Sequence, residues 1–423
     1  MSFFKLFFYF IFFLAIGFGC SLDKEGNDTS SNGGRPMETQ HISLPEEYDS
    51  LKNVLAYPSD VAAPYEVSLI EETIYGSTEE KFLSDIAKFE VNDEGLVFIE
   101  ARSEINVFNA NGNYLTTLGR RGRGPGEFSN MTSLSPIIKS SGLYVYDDVL
   151  GRINIFDTQA LEFSQAVLIN RRQISKVDDL AKTHVQMLVD ITDGLFLFEF
   201  EDFRTEDIEK EIYRRYYLID YQGEVVSDEV FNIPYKNPNN TKAYFFSPQK
   251  SFFPLSNGSD RQNKIVFDSK NNIYTSWTEN FFIKVFDSQG QYQRSIFYPF
   301  QNSPLNENEI IETFKYDETV YQRAKNYKYP ETWPAIDQFF VDDEDRIWVS
   351  TIIDDEQNYE WWILKNTGEL ISKFNWPGER LRRARRFRAQ PIVRNGYFYI
   401  KETNPKTGDS HVASYKIILE KKD

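Results

Sequence analysis

Cysteine and histidine are scarce in this sequence, which restricts the chemistry it can support. The 423 residues include one cysteine, Cys20, and three histidines. A lone cysteine has no partner for a disulfide within the chain, and a catalytic zinc needs about three His, Cys or carboxylate ligands. His41 precedes the folded part, so only His184 and His411 remain in it. We therefore expect no metal or other cofactor, and no Ser-His triad in a recognisable nucleophile motif.

Basic residues are also in deficit. Lys and Arg number 47 against 64 Asp and Glu, which gives a formal charge of −17 and a pI near 4.9. A nucleic acid would be repelled by this overall field. The composition therefore predicts that nucleic acid is not a partner.

Long apolar runs are absent except at the N-terminus. Leu6 to Phe18 is apolar, but about thirteen residues are too few to span a bilayer, so residues 1–19 are predicted to be a signal peptide. The run ends in small residues before Cys20, and this junction resembles the site at which bacterial lipoproteins are cleaved and acylated. We expect Cys20 to be lipidated; the alternative is ordinary cleavage before a free thiol.

The stretch after the signal peptide has little apolar material to bury. Residues 20–64 are predicted to be a lipidated flexible tether, because their first half is rich in Ser, Gly, Asn and charge. Residues 65–423 then form the folded domain. An acylated cysteine predicts a lipid anchor in a membrane of the cell envelope, with the outer membrane as the favoured location.

Aromatic residues make up 16% of the chain, which favours strands, and the strand pattern repeats six times. Each unit has an apolar strand, a tight Gly or Asn turn and an alternating strand, then two further strands. The predicted units are Phe89–Ala101 with Ile105–Gly119, Ile137–Asp148 with Arg152–Phe163, Val189–Phe200 with Tyr216–Val226, Ile265–Ser276 with Ile283–Ser295, Phe339–Ser350 with Trp361–Ser372, and Pro391–Glu402 with His411–Glu420.

Six such units predict an all-β fold, a six-bladed β-propeller of four-stranded antiparallel blades. The sixth unit lacks one strand at the C-terminus, while an unassigned strand pattern occupies Tyr65–Gly76. We expect this N-terminal strand to become the outer strand of blade six, because closure leaves no long free edge.

The connection between units one and two resembles an NHL repeat. LGRRGRGPGEF (Leu118–Phe128), followed by SGLYVYDD and GRINIFD, is similar to that family's Gly-rich turn, β-strand and Arg-Ile-x-Val-Phe-Asp strand. About 45 residues carry the resemblance, which implies a propeller but gives function only by analogy. The whole chain is also similar to the six-bladed propeller lipoproteins of some bacterial lineages.

Long insertions in a propeller reveal which face can recognise a ligand. Second-to-third loops and the joins between blades share one face, here called the join face. The long stretches Glu199–Arg215, Phe231–Lys264 and Pro299–Asp337 all map to it. Loops on a rigid scaffold often carry recognition, although tolerated surface insertions would look the same. Asn306–Tyr327 has a helical pattern and is predicted to form a lid.

Two arginine-rich joins map to the same face. The candidate ligand-binding residues are Arg120, Arg121 and Arg123 in the join after blade one, and Arg382, Arg383, Arg385 and Arg386 in the join after blade five, where Arg380 and Arg388 flank them. Guanidinium groups bind carboxylate, sulfate or phosphate through paired hydrogen bonds. The alternative is that they are solvated, pair with acidic loops such as Glu201–Glu211, or only shape the turn.

Three functions remain open. The favoured one is a membrane-anchored binding module for an acidic glycan, a peptide or another protein on the join face. The second is a structural role in envelope assembly. The third is a calcium-dependent lactonase- or hydrolase-like, or lyase, enzyme that uses Asp, Glu and Asn around the axis. Carboxylates that converge on the central channel would favour the enzyme.

Overall fold

Strands form nearly all of the regular secondary structure. The computed structural model describes residues 42–77, 81–129, 134–139, 141–170, 184–192, 195–201, 212–235, 245–246, 252–253, 259, 261–378, 380, 389–403 and 408–422. Within them lie strands β1 to β27, one 3-10 helix (Glu46–Tyr48) and two α-helices. Residues 42–423 form one compact unit. The predicted signal peptide and Cys20 lie outside the described residues.

The first half of the chain supplies two N-terminal strands and three blades, each an antiparallel sheet in chain order. The N-terminal strands are β1 (Val54–Ala56) and β2 (Tyr65–Tyr75). Blade one has β3 (Ile86–Val91), β4 (Val97–Ala101), β5 (Glu104–Phe108) and β6 (Tyr114–Leu118); blade two has β7 (Leu134–Lys139), β8 (Gly142–Asp147), β9 (Arg152–Asp157) and β10 (Glu162–Leu168); blade three has β11 (His184–Thr192), β12 (Leu195–Glu201), β13 (Ile212–Asp220) and β14 (Phe231–Tyr235).

The second half supplies the remaining blades and both helices. A two-stranded sheet, β15 (Phe245–Phe246) and β16 (Phe252–Phe253), follows blade three. Blade four has β17 (Asn263–Phe267), β18 (Ile273–Trp277), β19 (Phe282–Phe286) and β20 (Tyr292–Phe297), and is followed by α1 (Glu307–Glu312) and α2 (Glu318–Lys325); blade five has β21 (Ile336–Val341), β22 (Ile347–Ile352), β23 (Asn358–Leu364) and β24 (Leu370–Pro377); blade six has β25 (Ile392–Arg394), β26 (Tyr397–Thr403) and β27 (Ser410–Lys421).

Blade six is closed by the N-terminal strand. β2 pairs antiparallel with β27, so that Tyr65 lies opposite Lys421 and Tyr75 opposite Val412. The sheet order β2-β27-β26-β25 places β2 outermost. The six-bladed propeller and its closure by Tyr65–Gly76 are therefore as the sequence predicted, and each of the six repeats forms one blade.

Aromatic side chains fill the spaces between neighbouring blades. Between blades five and six, Trp348 stacks on Phe398 with ring centroids 5.8 Å apart, and Trp361 meets the same phenylalanine edge-on at 5.9 Å. All three rings are fully buried. Such rings each bury a large area, which explains why the sequence is rich in them.

The turn between the third and fourth strands of a blade packs against the preceding blade. Gly223 in blade three has φ +76°, and a Cβ there would lie 1.8 Å from the carbonyl oxygen of Leu168 in blade two. At Gly112 in blade one the corresponding contact, 2.9 Å, is with the carbonyl of Ile74 in the closing strand. Glycine is required at these turns both by the backbone angle and by the close approach.

The packed part of the chain begins earlier than the predicted boundary at residue 65. Tyr48 stacks on Phe282 at 3.7 Å, and β1 pairs in parallel with β20 as a fifth strand of blade four. Apolar residues spaced through residues 42–56 supply a small cluster with Phe282 and Phe297. The edge of β20 pairs with this segment, so residues 42–56 belong to the folded part of the chain.

Two of the predicted insertions contribute to the packed core. Phe231 is predicted from the sequence to lie in a loop, but it begins the fourth strand of blade three. An irregular stretch after Val225 separates this strand from the preceding hairpin turn. In the stretch Pro299–Asp337, helix α1 buries Ile310 and Ile311 in the cluster that contains Trp333 and Trp348. The expected helical pattern is present, but its apolar side faces the core of blades five and six.

Candidate functional site

Strand direction assigns each connection to one of two faces. Successive strands of a blade are antiparallel, so the joins after Leu118 and after Pro377 lie on the same face, the join face. The sequence placed both arginine-rich segments there. Arg382, Arg383, Arg385 and Arg386 lie outside the described residues, whereas Arg120, Arg121, Arg123 and Arg380 are described.

The opposite face is bound together by its innermost turns. Ser269 of blade four donates its backbone N–H to Asp345 of blade five at 3.0 Å, and Asn395 of blade six donates to Asp343 at 2.7 Å. Lys139 of blade two reaches Asn271 of blade four at 2.8 Å. These contacts tie the first-to-second turns to one another around the axis.

A buried arginine supports the Gly-rich join after blade one. Arg152, 8% exposed, donates to the carbonyls of Arg123 at 3.1 Å, Gly124, and Glu127 at 2.6 Å. Asn154 adds hydrogen bonds to the Glu127 carbonyl and from the Gly126 N–H. Both residues belong to β9, the strand GRINIFD. The sequence pattern of the strand therefore positions the loop of the preceding join.

The carboxylate of Glu127 is held inside this loop. Its Oε1 accepts from Arg120 Nε at 2.8 Å, and its Oε2 accepts from the backbone N–H of Gly124 at 2.8 Å. The backbone hydrogen bond from Gly124, followed by that from Arg120, lowers the pKa of Glu127. Sequence reasoning missed Glu127, although it lies inside the Gly-rich motif.

The three arginines of this join differ in their partners. The Arg120 side chain is 78% exposed but paired with Glu127. Arg121 and Arg123 are also exposed. No hydrogen bond or ion pair joins either guanidinium to another residue of the described part of the chain. Within the described residues, these two guanidinium groups are therefore exposed on a loop whose carbonyls accept hydrogen bonds from Arg152.

Arg380, in the join after blade five, has the opposite environment. It is 5% exposed, donates to both carboxylate oxygens of Glu309 at 3.0 Å and to the carbonyl of Ile353 at 2.9 Å, and lies over the ring of Trp333. Glu309 belongs to α1. Arg380 therefore attaches the helical insertion to blade five and is a structural residue.

Titratable side chains cluster in the two inner strands of blade one. Lys88 of β3 pairs in register with Glu100 of β4, and Glu90 lies two residues further along β3. Glu100 is 1% exposed, and neither of its carboxylate oxygens has a hydrogen-bond partner within the described residues. Burial raises the pKa of Glu100 to about 8 and that of Glu90 to about 7, against the opposing attraction of Lys88 and, for Glu90, of Arg394.

One of the two propeller histidines has a carboxylate partner. His411 Nε2 lies 3.4 Å from Glu402, whose other oxygen accepts from the Tyr415 hydroxyl at 2.6 Å. For His184 the structure describes the backbone alone, as part of β11. No three His, Cys, Asp or Glu side chains in the described part of the chain are grouped so as to hold a metal ion. Neither α-helix there has the length and hydropathy of a membrane span.

Comparison with known proteins agrees with the propeller architecture. A family model described as a 6-bladed β-propeller, DUF5128, matches residues 74–243. No curated protein matches the chain. Over that stretch the chain is thus similar to a six-bladed propeller family, and the six sheets extend the architecture to its whole folded part.

Several solved structures of low sequence identity are similar to the chain. A candidate exported protein from Bacteroides fragilis is 14% identical with a TM-score of 0.48, covering 87% of this chain and 100% of its own. A duf4221-family member from Bacteroides vulgatus is 12% identical with a TM-score of 0.49, covering 85% and 100%. The calcium-binding protein regucalcin from Agrobacterium tumefaciens is 12% identical with a TM-score of 0.38, covering 85% and 96%.

Proposed function

We propose that this chain is an exported bacterial propeller, anchored by a lipid at Cys20, that binds an anionic ligand on its join face. The observation that carries the binding proposal is the pair Arg121 and Arg123. Both side chains are exposed on a loop whose carbonyls are fixed by the buried Arg152. An anion that binds guanidinium groups on a supported loop does not have to order the loop backbone, which lowers the cost of binding.

Local charge, rather than net charge, supports an acidic partner. Although the chain has a formal charge of −17, Glu127 is the one acidic residue of the described part of the chain that pairs with an arginine of this join, and it pairs with Arg120. A local positive field concentrates anions even on an acidic protein. We infer an acidic glycan, a peptide carboxylate or a phosphorylated group as the ligand class, with Arg382, Arg383, Arg385 and Arg386 as further candidates from the sequence.

The binding test compares matched arginine variants. Arg121→Gln with Arg123→Gln should weaken binding in a panel of phosphate, sulfate, a polyuronate and an acidic peptide by about tenfold or more, because charge-assisted hydrogen bonds are lost. Replacing Arg382, Arg383, Arg385 and Arg386 by Gln tests the second join. Binding that is unchanged in both variants, or a wild type that binds no member of the panel, would refute the proposal.

Export and anchoring are tested separately. The apolar run before Cys20 and the NHL-like Gly-rich join support an envelope propeller lipoprotein, with the outer membrane as its proposed location. Acyl chains supply the membrane affinity, so Cys20→Ala should release the protein from the membrane fraction. Wild-type protein that takes up no labelled fatty acid would contradict the anchor.

A second candidate, an acid–base enzyme, is favoured by Glu100. A buried carboxylic acid whose pKa is raised to about 8, beside Lys88, has the properties of a general acid. Glu100→Gln should then abolish turnover in a panel of lactones, esters and glycosides while the protein stays folded. Wild-type protein without turnover of any of these substrates would contradict this candidate.

A further inference from the structure

The Gly-rich join has the geometry of an oxyanion-binding site. Two donors hydrogen-bond the carboxylate of Glu127: Arg120 Nε at 2.8 Å and the backbone N–H of Gly124 at 2.8 Å. The neighbouring backbone N–H of Arg123 makes a smaller contribution, which also lowers the pKa of Glu127. Successive backbone N–H groups that point into one concavity form a nest for anions. In this loop the anion is a side chain of the loop itself, and it is 22% exposed.

The glycine positions show how closely the loop encloses this carboxylate. A Cβ on Gly122 would lie 2.1 Å from Glu127 Oε2, and one on Gly124 would lie 3.0 Å from the same oxygen. The carbonyls of residues 123, 124 and 127 accept hydrogen bonds from Arg152. Donors of the loop therefore contact the Glu127 carboxylate, while these carbonyl oxygens are occupied by Arg152.

We propose that Glu127 is an internal counter-ion that fills an oxyanion cradle, and that the acidic group of the ligand binds there by displacing it. This inference rests on the proposed function, since it concerns the same join. Displacement releases Arg120 from its ion pair, so that Arg120, Arg121 and Arg123 all become available. Arg120 then binds the ligand only after Glu127 has been displaced, whereas Arg121 and Arg123 are exposed beforehand.

Competition with Glu127 selects the chemistry of the ligand. A carboxylate tethered within the loop has an effective concentration of about millimolar or higher. A free monocarboxylate would make the same contacts as the Glu127 carboxylate, and it would have to compete with that effective concentration. A phosphate monoester has a charge of about −2 and three acceptor oxygens, so it can engage the cradle and a neighbouring guanidinium together. The ligand class is therefore a phosphate monoester.

The experiment removes the internal competitor. Inorganic phosphate is titrated by calorimetry into wild type, Glu127→Ala and the double variant Glu127→Ala with Arg120→Gln. We expect Glu127→Ala to bind phosphate at least about tenfold more tightly than wild type, because the cradle is vacated, and the double variant to lose this gain. Acetate should bind Glu127→Ala but not wild type, since it replaces the missing carboxylate.

A matched control separates the cradle from a general charge effect. Glu369 is an exposed carboxylate paired with Lys365 on the opposite face, so Glu369→Ala changes the net charge equally. It should leave phosphate affinity unchanged. In the Glu127→Ala variant, the amide chemical shifts of Arg123 and Gly124 should change when phosphate is added. If the alanine variant unfolds, Glu127→Gln is used in its place.

The outcomes distinguish this inference from the proposed function. If phosphate affinity is the same with and without the Glu127 carboxylate, Glu127 is a structural brace and the cradle inference is wrong. The binding proposal would still stand if Arg121→Gln with Arg123→Gln loses the wild-type ligand. A sugar phosphate and a phosphoserine peptide, titrated into wild type, then show which kind of molecule carries the phosphate.

Discussion

The joins after blade one and after blade five are both arginine-rich, yet their described arginines have opposite environments. Arg121 and Arg123 are exposed and have no counter-charge within the described residues, whereas Arg380 is 5% exposed and bound to both oxygens of Glu309. The sequence places all of these arginines in similar arginine-rich joins and does not distinguish between them. Burial and counter-charge therefore decide whether an arginine stabilises the fold or remains available for a ligand.

Removal of Arg380 should produce the largest effect on stability. Arg380→Met leaves Glu309 and the Ile353 carbonyl without their donor, and the loss of one partner of a buried ion pair costs about 3–5 kcal/mol. We expect the free energy of unfolding in urea to fall by an amount in that range. A loss below about 1 kcal/mol would mean that α1 is held to blade five by its apolar side chains alone.

Removal of Arg152 should have the next largest effect. Arg152→Met leaves the carbonyls of Arg123, Gly124 and Glu127 without this donor, and a buried unsatisfied polar group costs about 1–3 kcal/mol. We expect destabilisation of about 2 kcal/mol, together with weaker ligand binding, because the loop loses its support. Arg120→Gln, at an exposed side chain in the same loop, is the control for stability.

Glu100 is buried like Arg380, but neither of its carboxylate oxygens has a hydrogen-bond partner within the described residues. Its folded-state pKa, about 8, lies above the unfolded value, so the stabilising neutral form is fully present below the unfolded pKa and is lost as pH rises through about 8. Glu100→Gln should therefore gain stability relative to wild type as pH rises from the unfolded value of 4.5 to about 8, and the difference should be constant above that. A difference that does not change with pH would show that Glu100 is ionised throughout.

Sequence patterns predicted the fold well, because propeller blades depend on local repeats. The Gly turns and alternating apolar residues specify each hairpin, and the missing strand of blade six identified Tyr65–Gly76 as its complement. Residues 42–56 fall within the predicted tether because that prediction rests on the Ser-, Gly- and Asn-rich stretch before them, and their own apolar residues become buried only against β20 and Phe282. Such an added edge strand depends on tertiary contacts that no local pattern reveals.

The site was less predictable, since it depends on partners distant in sequence. Arg380 was grouped with its arginine-rich neighbours, but its partner Glu309 lies 71 residues away. Glu100 could have been found as the charged residue in an otherwise apolar strand, FIEA, although nothing in that strand shows that its oxygens lack partners. Local motifs therefore predicted the arginine-rich joins, and contacts between residues distant in sequence determine which of the described arginines are paired.

The double variant at Arg121 and Arg123 should have the smallest effect on stability and the largest effect on ligand binding. Arg121→Gln with Arg123→Gln removes two exposed charges that have no partner in the described part of the chain, and such surface substitutions usually change stability by no more than about 0.5 kcal/mol. Binding of an anion should nevertheless weaken, and its dependence on salt should become shallower, because fewer charges are screened. Titrations at low and high salt, with urea unfolding on the same samples, measure both quantities. If the double variant unfolds as readily as Arg380→Met, the two joins are alike, and the exposed arginines support the fold through contacts with the rest of the join face.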